Sequence, residues 1–223
     1  MNRTIALIDY GSGNIHSACK ACERVLREET LFKGSVLSAK EPTALEDASH
    51  IILPGVGAFA DCLSRLGGRQ GAWAQALERH VREKGKAFLG ICVGMQLLAT
   101  QGFEFGCHQG LGWLDGVIRP FSFPSDVRHA MKIPHMGWNA LHVRDDKRHH
   151  PLFKDIRDGS DVYFVHSYHL HEMKDEDIFA DCLYGARFPA WVGYDNIIGT
   201  QFHPEKSQHV GLTFLRNFIR WTP

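Results

Sequence analysis

Cys92 stands between two glycines in the stretch FLGICVGMQLLA, residues 88 to 99, where a short apolar run ends and a helical pattern begins. Glycine, any residue, nucleophile, any residue, glycine is the pattern of a nucleophile elbow, a sharp strand-to-helix turn that pushes the nucleophile out at the carboxyl edge of a sheet. Gly90 and Gly94 leave room for that turn. A helix starting at about Val93 adds the positive end of its dipole and free backbone N–H groups, which favour thiolate over thiol and can stabilise an oxyanion. The competing reading is a buried structural cysteine, the commoner fate of one thiol in an apolar run.

A nucleophile needs a base, and the best candidate lies in GTQFHPEKS, where His203 ends a strand-like run and Glu205 follows after a proline. There an imidazole can pair with the thiol and later protonate a leaving amine, while the carboxylate holds the other ring nitrogen and fixes its tautomer. Cysteine, histidine and glutamate then form a triad in that chain order. Upstream, LPGVGAF places Gly55 and Gly57 after a strand, where glycine permits unusual φ values and close backbone approach.

Apolar or β-rich runs occur at TIALIDY, HIILPG, AFLGIC, NALHV, DVYFVHSYH, IFADCLY, FPAWVGYD and IIGTQFHP. Helical patterns follow the first three, near residues 14 to 28, 58 to 83 and 93 to 100, and another closes the chain at SQHVGLTFLRNFIRW. Strand, turn and helix in repetition predict an α/β fold with a mostly parallel sheet flanked by helices, and a more antiparallel, β-rich second half. The 223 residues suit one domain, residues 1 to 223, and RDDKRHHP reads as a surface loop, not a boundary.

Twenty-five basic residues balance 25 acidic ones, so nucleic-acid binding has no electrostatic support. The amino terminus lacks the apolar core of a secretory signal and no run of about 18 apolar residues appears, which predicts a cytoplasmic chain that meets no membrane. Six irregularly spaced cysteines in such a compartment predict reduced thiols. Cys19 and Cys22 form a C-x-x-C without a second ligand pair, and His169 and His171 in HSYHLH lack a carboxylate or cysteine at ligand spacing. No metal and no cofactor is expected.

GICVGMQLL together with QFHPEKS resembles the signature pair of class I, or triad, glutamine amidotransferases. More narrowly, IDYGSGN, LPGVGAF, PHMGWN and YFVHSYH resemble blocks of the glutaminase subunits of imidazole glycerol phosphate synthases, and with the triad motifs they run from residue 8 to residue 207. The resemblance implies the class I amidotransferase architecture, which is flavodoxin-like, and glutamine hydrolysis through a γ-glutamyl thioester on Cys92. His203 would serve as general base and acid, and Glu205 would orient it. It also implies an oxyanion hole from the backbone near Val56 or Gly57 with that of Val93. Gln96, one helical turn after Cys92, would face the pocket beside Gly55; Glu104 would meet the substrate's α-ammonium group, and His166, Ser167 and Tyr168 its α-carboxylate.

No synthase module is left over, so the resemblance implies a heterodimer with a separate cyclase that makes imidazole glycerol phosphate and AICAR in histidine biosynthesis. Pro134, Met136 and Trp138 are interface candidates on this reading, near the mouth through which ammonia would leave, and Lys206 can contribute to the same face. A dry route keeps ammonia from becoming non-nucleophilic ammonium. Low activity alone and allosteric activation by the liganded partner are expected, with the PGVG backbone as the moving part. Lys86 and Ala87 stand where the family commonly has a proline, and Leu183 where it often has an acid. Three alternatives stay open: a glutaminase for a different synthase, a γ-glutamyl peptidase on the same scaffold, and a non-catalytic binding module.

Overall fold

The computed structural model describes residues 2–223, and its central strands are those whose sequences are apolar without alternation. Strands β1 (Asn2–Ile8), β2 (Lys33–Ala39), β3 (His50–Gly55) and β4 (Ala87–Cys92) come from the first half of the chain. β3 and β4 are buried at every position, the pattern of parallel strands covered on both faces. The covering helices are α1 (Ile15–Glu28), α2 (Phe59–Arg65), α3 (Ala72–Leu77) and α4 (Val93–Gln96), with α5 (Gln208–Arg220) closing the chain beside α1. The Asn14 side chain caps α1 by accepting from the Ser17 N–H at 3.3 Å, so polar GSGN turns directly into helix. Cys22 is buried on that helix and Cys19 half-buried, and both are free thiols.

The remaining strands are β5 (Ala99–Gly102), β6 (His108–Gln109), β7 (Leu114–Pro120), β8 (His135–Val143), β9 (Asp161–His166), β10 (Tyr168–His171), β11 (Ile178–Tyr184), β12 (Ala186–Tyr194) and β13 (Ile197–Thr200). A nine-stranded sheet runs β2-β1-β3-β4-β13-β12-β11-β8-β9, and a four-stranded sheet runs β10-β7-β5-β6. The first five strands of the large sheet are parallel; from β12 onward every pairing is antiparallel. The expected parallel first half and antiparallel second half are therefore both present, joined where β13 returns to lie beside β4.

Three boundaries differ from the sequence expectation. The helical pattern over 58 to 83 is broken between α2 and α3 by a turn in which Gly67 and Gly68 take φ of +82° and +72°. The helix after Cys92 ends at Gln96, because the chain must turn to enter β5 in the second sheet. DVYFVHSYH is two strands, not one: the chain leaves the large sheet at His166 and joins the small one at Tyr168. That change of sheet at Ser167 puts His166, Ser167 and Tyr168 at one corner. Among the described residues no helix is long and apolar enough to cross a membrane.

Candidate active site

Because β3, β4 and β13 are adjacent and parallel, their carboxyl ends deliver PGVG, Cys92 and TQFHPE to one edge, the position where open α/β sheets bind ligands. Register makes the placement specific: Gly55 pairs with Cys92, and Thr200 with Ile91, so Gln201 follows beside Cys92.

Cys92 takes φ 54° and ψ −111°, a left-handed conformation that costs a non-glycine residue about 1–3 kcal/mol. The two glycines of the elbow are required by contact. A Cβ on Gly90 would lie 2.7 Å from the Gly94 carbonyl oxygen, and one on Gly94 would overlap the Leu53 carbonyl oxygen. Gly94→Ala is therefore expected to lower stability by about 3 kcal/mol, since backbone cannot yield as a side chain can; urea unfolding of the purified variant reads this directly. Helix α4 has only four residues, so its dipole is that of a single turn and most charge stabilisation at Cys92 falls to side chains.

His203 is 2% exposed at its side chain and Glu205 3%. The His203 backbone N–H donates to Tyr163 O at 2.9 Å, and Ser207 Oγ donates to His203 O at 2.7 Å, which ties the post-β13 segment to β9. A 3-10 turn over Pro204–Lys206 then brings Glu205 Oε1 to 2.8 Å from His203 Nδ1. The other ring nitrogen, Nε2, is buried, without a closed hydrogen bond, and faces Cys92. Burial works against the imidazolium, but the Cys92 thiolate and Glu205 outweigh it and raise the His203 pKa to about 10. His203 thus holds its proton as an imidazolium beside Cys92.

The PGVG segment is held from outside. Ser12 Oγ donates to the Val56 carbonyl at 2.8 Å, Cys62 Sγ reaches the same oxygen at 3.3 Å, and serine and thiol lie 3.1 Å apart. In a planar trans peptide, holding the Val56 carbonyl also holds the Gly57 N–H on the opposite side. Gly57 itself has φ +95°. Tyr10 adds a second brace by donating its hydroxyl to Pro54 O at 2.9 Å.

A cavity of about 270 Å³ opens over Cys92 and is lined by Val56, Gly57, Val93, Gln96, Glu104, Pro134, His166, Ser167, Tyr168, His203 and Lys206, among others. A larger hollow of about 660 Å³ lies elsewhere, between exposed Arg69, Arg82 and Glu78, with none of the triad in its wall. Gly55 stands beside Cys92 as its strand neighbour. Gln96 is 3% exposed and donates both amide hydrogens within the protein, to Tyr168 O at 2.9 Å and to Gln201 Oε1 at 3.0 Å. Only its Oε1 is left to face a ligand. Glu104 Oε2 accepts from the Phe59 N–H at 2.7 Å at the start of α2.

Met136 and Trp138 lie outside the cavity, 63% and 44% exposed, on β8. Trp138 meets the Tyr163 ring edge-on at 5.8 Å, and Lys206 Nζ sits 5.7 Å above that ring, so the three form one continuous patch. Val56, 40% exposed, brings further apolar surface to the mouth of the cavity. Sequence reasoning did not single out Ser12, Cys62, His135 or Gln201. Gln201 was next to a quoted motif, but no spacing rule says that it reaches Cys92; that depends on the pairing of β4 with β13.

These features match the class I glutamine amidotransferase profile, which covers residues 6–221. The chain belongs to that family. It is 46% identical over 219 residues to the imidazole glycerol phosphate synthase subunit HisH of Rhodospirillum rubrum, covering 98% of this chain and 99% of the relative. It is 48% identical over 219 residues to the HisH subunit of Geobacter sulfurreducens, covering 96% and 97%. Full-length similarity at this level places the chain in the HisH branch, the glutaminase subunits of imidazole glycerol phosphate synthase. Among solved structures, PurLQS from Thermotoga maritima matches with TM-score 0.66 at 20% identity over 99% of this chain and 97% of that one. The glutaminase domain of Trypanosoma brucei CTPS with bound acivicin matches with TM-score 0.62 at 15% identity, covering 99% and 95%. These last two likenesses speak to the fold alone.

Proposed function

We propose that the chain, acting as one glutaminase domain, hydrolyses glutamine through a Cys92 thioester. Its ammonia passes to a separate cyclase subunit that makes imidazole glycerol phosphate and AICAR in histidine biosynthesis. The observation that carries the chemistry is a thiol on a strained elbow facing the free Nε2 of a buried His203–Glu205 pair. The thiolate attacks the side-chain carbonyl carbon of glutamine, and the oxygen takes up the charge near the Val93 N–H and the PGVG backbone. His203 gives its Nε2 proton to the departing nitrogen, ammonia leaves, and a γ-glutamyl thioester remains. His203 then takes a proton from water, whose oxygen attacks the thioester carbon; return of that proton to sulfur releases glutamate and restores the thiol.

Glu104 and the corner at His166, Ser167 and Tyr168 are suited to the α-ammonium and α-carboxylate groups of glutamine, since they line the cavity around Cys92. The apolar patch of Met136 and Trp138 beside Pro134 and Lys206 is the proposed cyclase face, aromatic and methionine residues being enriched at such surfaces. Trp138→Ala is expected to weaken cyclase binding roughly thirtyfold, as loss of a half-buried aromatic anchor does; calorimetric titration of the cyclase measures it. Exposed Val56 lies at the same mouth, so an arriving partner can act on the PGVG backbone that Ser12 and Cys62 restrain. Loss of one hydroxyl bond of about 1 kcal/mol shifts such a balance about fivefold. Ser12→Ala is therefore expected to raise partner-free glutamate release by about that factor and to shrink activation in proportion; an unchanged basal rate sinks the restraint.

The test of the whole reading is glutamate release from glutamine by the chain alone and with the cyclase plus its nucleotide ligand. A strong rise with the liganded cyclase supports it. Cys92-dependent release indifferent to that cyclase moves the chain to another synthase, and release from extended γ-glutamyl peptides alone makes it a peptidase.

A further inference from the structure

Six hydrogen bonds run in sequence from the partner-facing strand β8 to the thiol. Asn139 Nδ2 meets His135 Nε2 at 2.7 Å, and His135 Nδ1 meets His166 Nε2 at 3.1 Å. His166 Nδ1 meets Tyr168 O at 2.9 Å. Gln96 Nε2 meets the same carbonyl at 2.9 Å and Gln201 Oε1 at 3.0 Å, and Gln201 Nε2 reaches Cys92 Sγ at 3.6 Å.

The direction of every bond follows from one fixed point. A carbonyl oxygen only accepts, so His166 carries its hydrogen on Nδ1 and leaves Nε2 as an acceptor. His135 must then donate from Nδ1, which leaves its Nε2 to accept from Asn139. Gln96 must present N–H to Tyr168 O, and its second N–H meets Gln201, which forces the Gln201 oxygen toward Gln96 and its amide nitrogen toward sulfur. Burial favours the neutral rings that this pattern needs, holding His135 at about 4 and His166 at about 3. Gln96 is 3% exposed and Gln201 fully buried, so water does not compete with their bonds.

We infer that Gln201 is a further catalytic residue: its amide N–H, locked in orientation by this chain, stabilises the Cys92 thiolate. With only one helical turn following Cys92, it provides a donor at sulfur that the helix dipole alone does not. His203 lies on one side of the thiol and the Gln201 amide meets it from β13. This inference rests on Cys92 being the nucleophile.

The test measures the thiol directly. The rate of Cys92 alkylation by iodoacetamide is followed against pH by mass spectrometry of the Cys92 peptide, in wild type, Gln201→Met and Gln201→Glu. The titratable groups facing Cys92, namely His203 with Glu205 behind it and Tyr10, are the same in wild type and Gln201→Met, and Gln201→Glu adds one carboxyl to them. Removing a hydrogen bond to a charged group gives a loss of about tenfold. Gln201→Met is thus expected to alkylate about tenfold more slowly at pH 7, with its curve displaced to higher pH. Its kcat with the liganded cyclase should fall by a similar factor while KM changes little. Gln201→Glu should be slower still at pH 7 and recover on acidification, when the carboxyl becomes a donor. In protein of wild-type sequence, the Gln201 side-chain amide resonances should shift when Cys92 is alkylated, a reading that needs no variant to fold. Superimposable alkylation curves, or unmoved Gln201 amide resonances, overturn the inference while leaving the nucleophile standing. If Cys92→Ala still releases glutamate, the nucleophile itself is wrong and the inference falls with it.

Discussion

Cys92→Ala is expected to abolish partner-stimulated glutamate release, a loss on the order of ten-thousandfold, because the covalent route disappears and only binding and the oxyanion site remain. The fold should survive. Cys92 is buried, but its small side chain fills little space, and alanine inherits the same φ of 54° with the same strain. That strain offers a second reading of the elbow. Cys92→Gly should be more stable than Cys92→Ala by about 1 kcal/mol, since glycine adopts positive φ without the Cβ penalty. Glutamate release by both variants, with their urea midpoints, checks the pair: residual turnover within tenfold of wild type would dismiss the thioester, and equal stability would dismiss the strained elbow.

His203→Gln is the second large effect, expected to cost roughly 10²–10⁴ in kcat through loss of the proton donor and acceptor. It also carries a signature in stability. The folded-state pKa of His203 is raised above the ordinary value of 6.5, to about 10, so the folded state holds its proton more tightly than the unfolded chain. The resulting stabilisation is fully present below about pH 6.5 and is lost as pH rises through about 10. Wild type should therefore exceed His203→Gln in stability most at acidic to neutral pH, and the gap should close toward pH 10. Cys92→Ala removes one of the charges that raise His203, leaving Glu205 against burial, so the window should end at lower pH. Denaturant midpoints between pH 6 and pH 10 decide it, a gap that widens with pH being the contrary result.

How Cys92, Gln201 and His203 meet depends on strand order. β4 and β13 are separated in sequence by more than a hundred residues, yet they are hydrogen-bonded neighbours, with Thr200 paired to Ile91. One step of register the other way would turn Gln201 from its place beside Cys92 and shift His203 with it. The same sheet pairs Gly55 with Cys92, which brings the PGVG backbone to the thiol. The small sheet then draws Tyr168 away from His166, and Ser167 becomes the corner between them.

By itself, the sequence determined the local parts. Glycines flanking a cysteine announce an elbow because no other residue fits against the backbone there, as the Cβ contacts at Gly90 and Gly94 bear out. Continuous apolar runs announce buried parallel strands, and β3 and β4 are buried throughout. His203 and Glu205, two residues apart, needed only a short turn to meet. The tertiary structure alone decided the non-local parts. Edge strand β2 and the small-sheet strands β5, β6 and β7 are too short, polar or irregular to declare themselves, and they exist because neighbours pair with them. Ser12 and Cys62 on the Val56 carbonyl, and the chain from Asn139 to Gln201, join residues far apart along the backbone. Hydrogen bonds of that kind are set by the distance between folded elements, a quantity that residue types and spacing along one strand do not contain.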